Sequence, residues 1–303
     1  MNPKQVAKRL LPPLIVDAIR QAVWRRDIQH YLNGGRVPWS PGYEIYERQL
    51  IMQALADEAL LERFRHGEPL LPGYGVGVDE RCIEYPWLLA HLHDGLEVLL
   101  DAGSTLNHSF ILNHPVLQRK VMHILTLAPE ENCFWQKGIS YLFHDLRDIP
   151  VRDAYYDTIA CLSTLEHVGC DNTAYTRRDI HREQNPEDFA LAVHELRRVL
   201  KPGGALFFTV PFGVYRNFGM FQQFDRELLS CAVEAFGKTS EVIETFYRYT
   251  AEGWNVASAE DCAECEYVEW INRPRDQWPS PLPVELDRAA GARAVACVRM
   301  VKV

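Results

Sequence analysis

The chain has 303 residues, 47% of them hydrophobic and 24% charged, with a formal net charge of −9. That is ordinary for a globular protein made of one large domain plus an extension, or of two small domains. The negative balance argues against a broad basic surface that wraps nucleic acid, no apolar run is long enough to span a membrane, and the N-terminus lacks the apolar stretch of a secretory signal. Among eight scattered cysteines only Cys262-Ala263-Glu264-Cys265 has a CxxC spacing. It has no second pair and no nearby His, so no metal is expected, and free thiols in a reducing cytoplasm are.

Residues 1–30 stand apart, because in the first 26 residues Lys4, Lys8, Arg9, Arg20, Arg25 and Arg26 face only Asp17. Pro12 and Pro13 can open a helix, on which Ile15, Ile19, Ala22 and Val23 recur at helical spacing. This basic amphipathic helix is expected to dock on the main domain, and the second reading is peripheral contact with the inner face of a membrane or with a partner protein. Residues 33–44 read as a loop. Residues 45–66 read as one helix with the stripe Ile45, Leu50, Ala54, Leu55, Ala59, Leu60 and Phe64. After a Gly/Pro-rich linker over 67–80, Arg81-Cys82-Ile83-Glu84-Tyr85-Pro86-Trp87 leads into a short helix ending near Asp94-Gly95. The expected division is a helical extension or lid over 1–80 and a second domain over 81–303.

From residue 97 strands and helices alternate. Strands are expected at 97–101, 121–127, 139–144, 156–162, 204–210, about 240–247 and 293–301, and helices at 187–200 and 225–236. The alternation predicts a mostly parallel sheet covered on both faces, with an antiparallel final strand. Inserts are expected at about 211–225 and 248–290.

Three of these strands run into distinctive turns: Val98-Leu99-Leu100-Asp101-Ala102-Gly103-Ser104-Thr105-Leu106-Asn107, Cys161-Leu162-Ser163-Thr164-Leu165-Glu166-His167-Val168-Gly169, and Leu200-Lys201-Pro202-Gly203-Gly204 leading into Ala205–Pro211. In this order they resemble strands one, four and five of the class I S-adenosylmethionine-dependent methyltransferases. The resemblance covers about residues 80–303. It implies an α/β, Rossmann-like, seven-stranded and mostly parallel sheet, with S-adenosyl-L-methionine as cofactor. The Leu-Pro-Pro segment, Glu84-Tyr85-Pro86-Trp87 and the Ser-Thr-Leu-Glu-His-Val-Gly turn look like bacterial methyltransferases of surface-polysaccharide and glycan assembly.

The resemblance also implies roles for residues. The turn after the first strand is expected to approach the cofactor through Asp101, Gly103, Ser104, Thr105 and Asn107, where Thr105 and Asn107 replace two glycines of the family pattern. Asn107 is expected to tolerate left-handed backbone, and the Thr105 hydroxyl to meet the methionine carboxylate. Thr126 stands where the family places a ribose-binding acid, with Glu130 or Glu131 reaching back instead. Asp145, with Leu146, is expected near the adenine, and Ser163 and Thr164 near the cofactor. His167 is the expected general base, with Glu166 beside it, because His titrates near neutrality. Ser163 occupies the place of the first acid of the metal-binding version of this turn, so that set is incomplete. Tyr85, Trp87 and Phe212 are candidate neighbours of the sulfonium.

The acceptor is expected to be a hydroxylated small molecule, a sugar or a glycan intermediate, held by Arg81, Tyr215, Arg216, Asn217, Gln222 and Gln223. Tyr247, Tyr249, Trp254 and the run Tyr267–Trp270 are expected to add to that cleft or to build a homodimer face. Two other readings stay open. One is a small-molecule or natural-product O- or N-methyltransferase; the other is a catalytically weak scaffold, suggested by Thr105 and Asn107.

Overall fold

The structure, a computed structural model, describes residues 13–271 and 275–303. The first helix, α1, spans Pro13–Asn33. Lys4, Lys8, Arg9 and Pro12 lie outside the described residues, as do the side chains of Ile15, Asp17, Ile19 and Arg20. Ala22 and Val23 of the expected stripe are exposed, whereas Ile28 and Tyr31 are buried. α1 therefore docks through its C-terminal half, where the Tyr31 hydroxyl donates to the Gly77 carbonyl at 3.1 Å. No helix among the described residues is long and apolar enough to cross a membrane.

The helix expected over 45–66 is two helices, α2 (Tyr43–Ala56) and α3 (Glu58–His66). Asp57 breaks it by adopting extended backbone and accepting the Leu60 N–H at 3.2 Å, so it caps α3. The apolar spacing continues across Asp57, which hid the break from periodicity alone. α4 spans Arg81–His91 and is buried from Cys82 to Ala90. A helix apolar on all sides is a core helix.

The main sheet contains eight strands. They are β1 (Val98–Ala102), β2 (Val121–Thr126), β3 (Ser140–Phe143), β4 (Tyr156–Leu162), β5 (Leu200–Pro211), β8 (Thr239–Thr250), β9 (Gly253–Ala257) and β10 (Ala294–Lys302); β6 (Arg216–Asn217) and β7 (Gln222–Gln223) form a separate ribbon. The order is β3-β2-β1-β4-β5-β10-β8-β9. Strands β1 to β5 pair in parallel, and β10 runs antiparallel between β5 and β8. This is the expected Rossmann-like arrangement with an antiparallel last strand. The eighth strand, β9, pairs antiparallel to β8 at the edge, inside the segment read as an insert from 248.

Side chains alternate across the strands and so define two cores. Leu99, Ile124, Leu162, Phe207 and Tyr247 face one core together with Ile51, Leu55, Leu61 and Phe64 of α2 and α3 and with most of α4. Leu100, Leu125, Cys161, Phe208 and Val210 face the other, under α8 (Phe189–Val199) and α9 (Arg226–Phe236). Between β1 and β2 there are only two four-residue helices, α5 (Ser109–Leu112) and α6 (Pro115–Gln118). α2 to α4 therefore supply the layer that would otherwise be missing, and residues on both sides of position 80 share one core. Cys262 and Cys265 of the CxxC motif pack in the second core.

Phe64 of α3 contacts Tyr247 of β8, with ring centroids 5.5 Å apart. Phe64→Ala is expected to destabilise the whole sheet by about 3–5 kcal/mol. Urea unfolding followed by circular dichroism checks this; a midpoint unchanged from wild type would mean that 1–80 folds apart from the sheet.

Candidate cofactor and acceptor site

In an open parallel sheet a ligand cleft forms beyond the carboxyl ends of the strands, where the strand order reverses. Here β1 lies between β2 and β4, and a cleft of about 730 Å³ opens beyond the ends of β1, β2, β3 and β4. Gly103, Ser104, Thr105, Thr126, Glu130, Asp145, Leu146, Ser163, Thr164 and His167 line it, as do Arg81 and Tyr85 from α4.

The turn after β1 is built from hydrogen bonds. Asp101 is buried and off the cleft; its Oδ2 accepts the Leu106 N–H at 2.9 Å, while its Oδ1 has no partner. Burial pushes its carboxyl up to about 8, against the pull of the Leu106 and Thr105 N–H groups. Gly103 has φ +115°, and a Cβ there would lie 2.1 Å from Thr164 Oγ1. Ser104 follows with φ +65°, and its buried hydroxyl on the cleft wall has no partner.

Thr105 is explained differently from expectation. Its hydroxyl donates to the Leu162 carbonyl at 2.8 Å, tying the turn to the end of β4. Asn107 is not among the left-handed residues and does not line the cleft. Its amide donates to Glu130 Oε2 at 2.9 Å and accepts the Tyr141 hydroxyl at 2.9 Å, so the side chain, not the backbone, is what replaces glycine. Glu130 thereby reaches the cleft, beyond Thr126.

Beyond β3, Asp145 is held by Arg147, which also binds Glu183 at 2.6 Å and Asp188 at 2.7 Å. Burial opposes charge on Asp145, but the Arg147 hydrogen bonds outweigh it and lower its pKa. Beyond β4, Ser163 takes φ +37°, a costly backbone held by contacts to Thr209 and Glu84. Its N–H donates to Thr209, and its Oγ donates to Glu84 Oε1 at 2.5 Å. Glu84 is buried in α4; the Thr209 hydroxyl and Arg81 (2.5 Å) donate to the same carboxyl. The Thr164 hydroxyl donates to the Leu162 carbonyl at 2.8 Å.

His167 sits on the cleft with its Nδ1 2.8 Å from the Met220 carbonyl. A carbonyl only accepts, so Nδ1 carries the proton and Nε2 keeps its lone pair. Burial lowers the pKa of His167 to about 4, which the Met220 hydrogen bond only partly offsets. Tyr175 and Phe221 pack on the ring, with centroids at 5.4 and 5.6 Å.

Several expected site residues are elsewhere. Glu166 is buried off the cleft with Oε2 unpartnered, and burial raises its carboxyl well above the usual range, so it is no base at the cavity. Tyr215, Arg216 and Asn217 are exposed outside the cleft, and Arg216 pairs with Glu269 at 2.5 Å. Gln222 and Gln223 are buried and spend their amides on the carbonyls of Pro186 and Cys265, at 2.6 and 2.7 Å. This segment serves the site indirectly, through Met220 and Phe221 against His167. Trp87 and Phe212 are core residues; Tyr85 alone of the three aromatics lines the cleft. Tyr247, Tyr249 and Trp254 are also core.

In place of 211–225, the cleft is walled by Asn172, Tyr175, Thr176, Arg177, His181 and Glu183. Sequence reasoning passed over this stretch, although it is longer than a link from β4 to α8 needs.

The orphaned Ser104 hydroxyl, the tight Gly103 backbone and the carboxylates Glu130 and Asp145 fit a cofactor with a polar amino-acid end and a nucleoside end. Residues 122–208 match the family model described as Methyltransferase domain. No curated protein matches the chain. Among solved structures, the chain is similar to a SAM-dependent methyltransferase from Thermotoga maritima at 14% identity, covering 85% of this chain and 100% of that one with a TM-score of 0.43. It is similar to the Burkholderia thailandensis 1,6-didemethyltoxoflavin-N1-methyltransferase at 13% identity, covering 83% and 89% with a TM-score of 0.42. It is also similar to the N-methyltransferase NodS from Bradyrhizobium japonicum at 13% identity, covering 74% and 96% with a TM-score of 0.41. The chain carries a methyltransferase domain over residues 122–208.

Gly103→Ala is expected to weaken S-adenosylhomocysteine binding at least about tenfold, because the added Cβ meets Thr164 and the backbone is left-handed. Fluorescence titration checks this, with circular dichroism to verify folding. Unchanged affinity would place the ligand away from this turn.

Proposed function

We propose that this enzyme methylates a hydroxyl of a small acceptor, a sugar or glycan intermediate, with His167 as general base. The observation that carries the reading is the Nδ1 contact of His167 to the Met220 carbonyl, which presents a lone-pair nitrogen on the cleft. Bound S-adenosylmethionine supplies a methyl group on a sulfonium, transferred by in-line displacement that depends mostly on alignment. Gly103, Ser104, Ser163 and Thr164 are proposed to hold its amino-acid end, with Arg81 and Tyr85 above; Glu130 and Thr126 the ribose; Asp145 and Leu146 the adenine.

The acidity of His167 suits the task. A base with a pKa near 4 does not strip an alcohol beforehand. As the O–C bond forms, the acceptor oxygen turns cationic and strongly acidic, and a neutral imidazole then takes its proton. The sugar reading draws on Tyr175, an exposed residue that lines the cleft with Asn172 and Thr176, an aromatic ring next to polar groups. Docking of residues 1–30 on a membrane or partner protein, action in glycan assembly and a homodimer remain parts of this proposal.

His167→Asn is expected to lower kcat by about 10²–10⁴-fold while S-adenosylhomocysteine affinity stays within a few-fold of wild type. Since His167 protonates only near pH 4, the acid limb of kcat/KM is expected below pH 5, not near 6.5. A pH–rate profile with an acid limb at 6–7, or a variant with full kcat, would remove His167 from this role.

A further inference from the structure

The cavity wall after β4 has a charge pattern that the methyl-transfer reading does not use. Three arginines line the cleft. Arg81 is paired with Glu84, and Arg147 with Asp145, Glu183 and Asp188. Arg177 has no carboxylate partner among the described residues. The acid on the same wall, Glu183, is already held twice by Arg147, at 2.6 and 2.7 Å. His181, on the same wall, has a buried Nδ1 without a partner.

These two side chains ride on a fixed support. The segment from Asp171 to Arg182 is closed at its base by a bridge between those residues and by the Asn172 N–H donating to the His181 carbonyl at 2.9 Å. The Asn172 amide also donates to the His167 carbonyl at 2.8 Å, which joins the segment to the base. Arg177 itself has left-handed backbone, φ +55°, at the end of α7 (Thr173–Thr176). An unpaired guanidinium and an unpaired imidazole nitrogen on one wall match a planar or tetrahedral oxyanion.

We propose that the acceptor is anionic, and that Arg177, which lines the same cleft wall as His181, binds its carboxylate or phosphate group. The proposal rests on the reading of this cleft as the acceptor site, and a binding test separates the two. Glucose, glucuronate and glucose 6-phosphate are titrated into the full chain saturated with S-adenosylhomocysteine, for wild type, Arg177→Gln and Arg177→Lys. One or both anions are expected to bind wild type about tenfold or more tightly than glucose. Glucuronate alone would mark a carboxylate acceptor, and glucose 6-phosphate alone a phosphorylated one. Arg177→Gln is expected to erase the preference and Arg177→Lys to restore part of it, both with unchanged S-adenosylhomocysteine affinity. Equal binding of all three sugars, no binding by either anion, or a preference that survives Arg177→Gln would overturn the proposal. A loss of S-adenosylhomocysteine affinity in Arg177→Gln would also overturn it, by assigning the guanidinium to the cofactor. Charge-selective binding without methylation of any sugar would leave it standing and count against the hydroxyl-transfer reading alone.

Discussion

Three donors converge on the buried carboxyl of Glu84: Arg81 one turn away on the same helix, Ser163 at the end of β4 and Thr209 near the end of β5. A buried carboxyl is costly to leave unpaired, so each partner is held in place by the cost of losing it. The contacts clamp α4 onto the sheet at the point where the strand order reverses. They also hold Ser163 in its left-handed backbone, from which Thr164 and His167 follow onto the cleft. Remove this node and the roof, the turn after β4 and the base all lose their common anchor.

The Leu162 carbonyl does a similar job on a smaller scale. It accepts the hydroxyls of both Thr105 and Thr164 at 2.8 Å, so the turn after β1 and the turn after β4 are fixed to one atom. The glycine-poor cofactor turn is thus a rigid one. Gly103 is kept where the backbone passes closest to Thr164, and the positions given up to Thr105 and Asn107 carry side-chain bonds instead.

Much of this was legible in the chain. The apolar runs of β1, β4, β5 and β10, and the turns at Asp101–Asn107 and Ser163–Gly169, announced the sheet and the placement of the cleft. What stayed hidden depended on contacts between distant residues. Asp57 breaks a helix whose apolar spacing is continuous, and β9 forms only because β8 offers an edge. Gln222 and Gln223 look like ligand-binding amides, yet they satisfy the carbonyls of Pro186 and Cys265. The wall over 172–183 has no periodicity to read, since its closure depends on Asp171 meeting Arg182. That α2 and α3 are one covering layer of the sheet follows from the shortness of α5 and α6, which a reading of segments one at a time does not weigh.

Isothermal titration of S-adenosylhomocysteine into the full chain and into Glu84→Ala tests the central claim most directly. The account predicts binding in the micromolar range for wild type, worth about 8 kcal/mol. It predicts binding at least about tenfold weaker for the variant, which circular dichroism should show to be folded. No binding by wild type at millimolar ligand, or equal affinity in the two proteins, would contradict it.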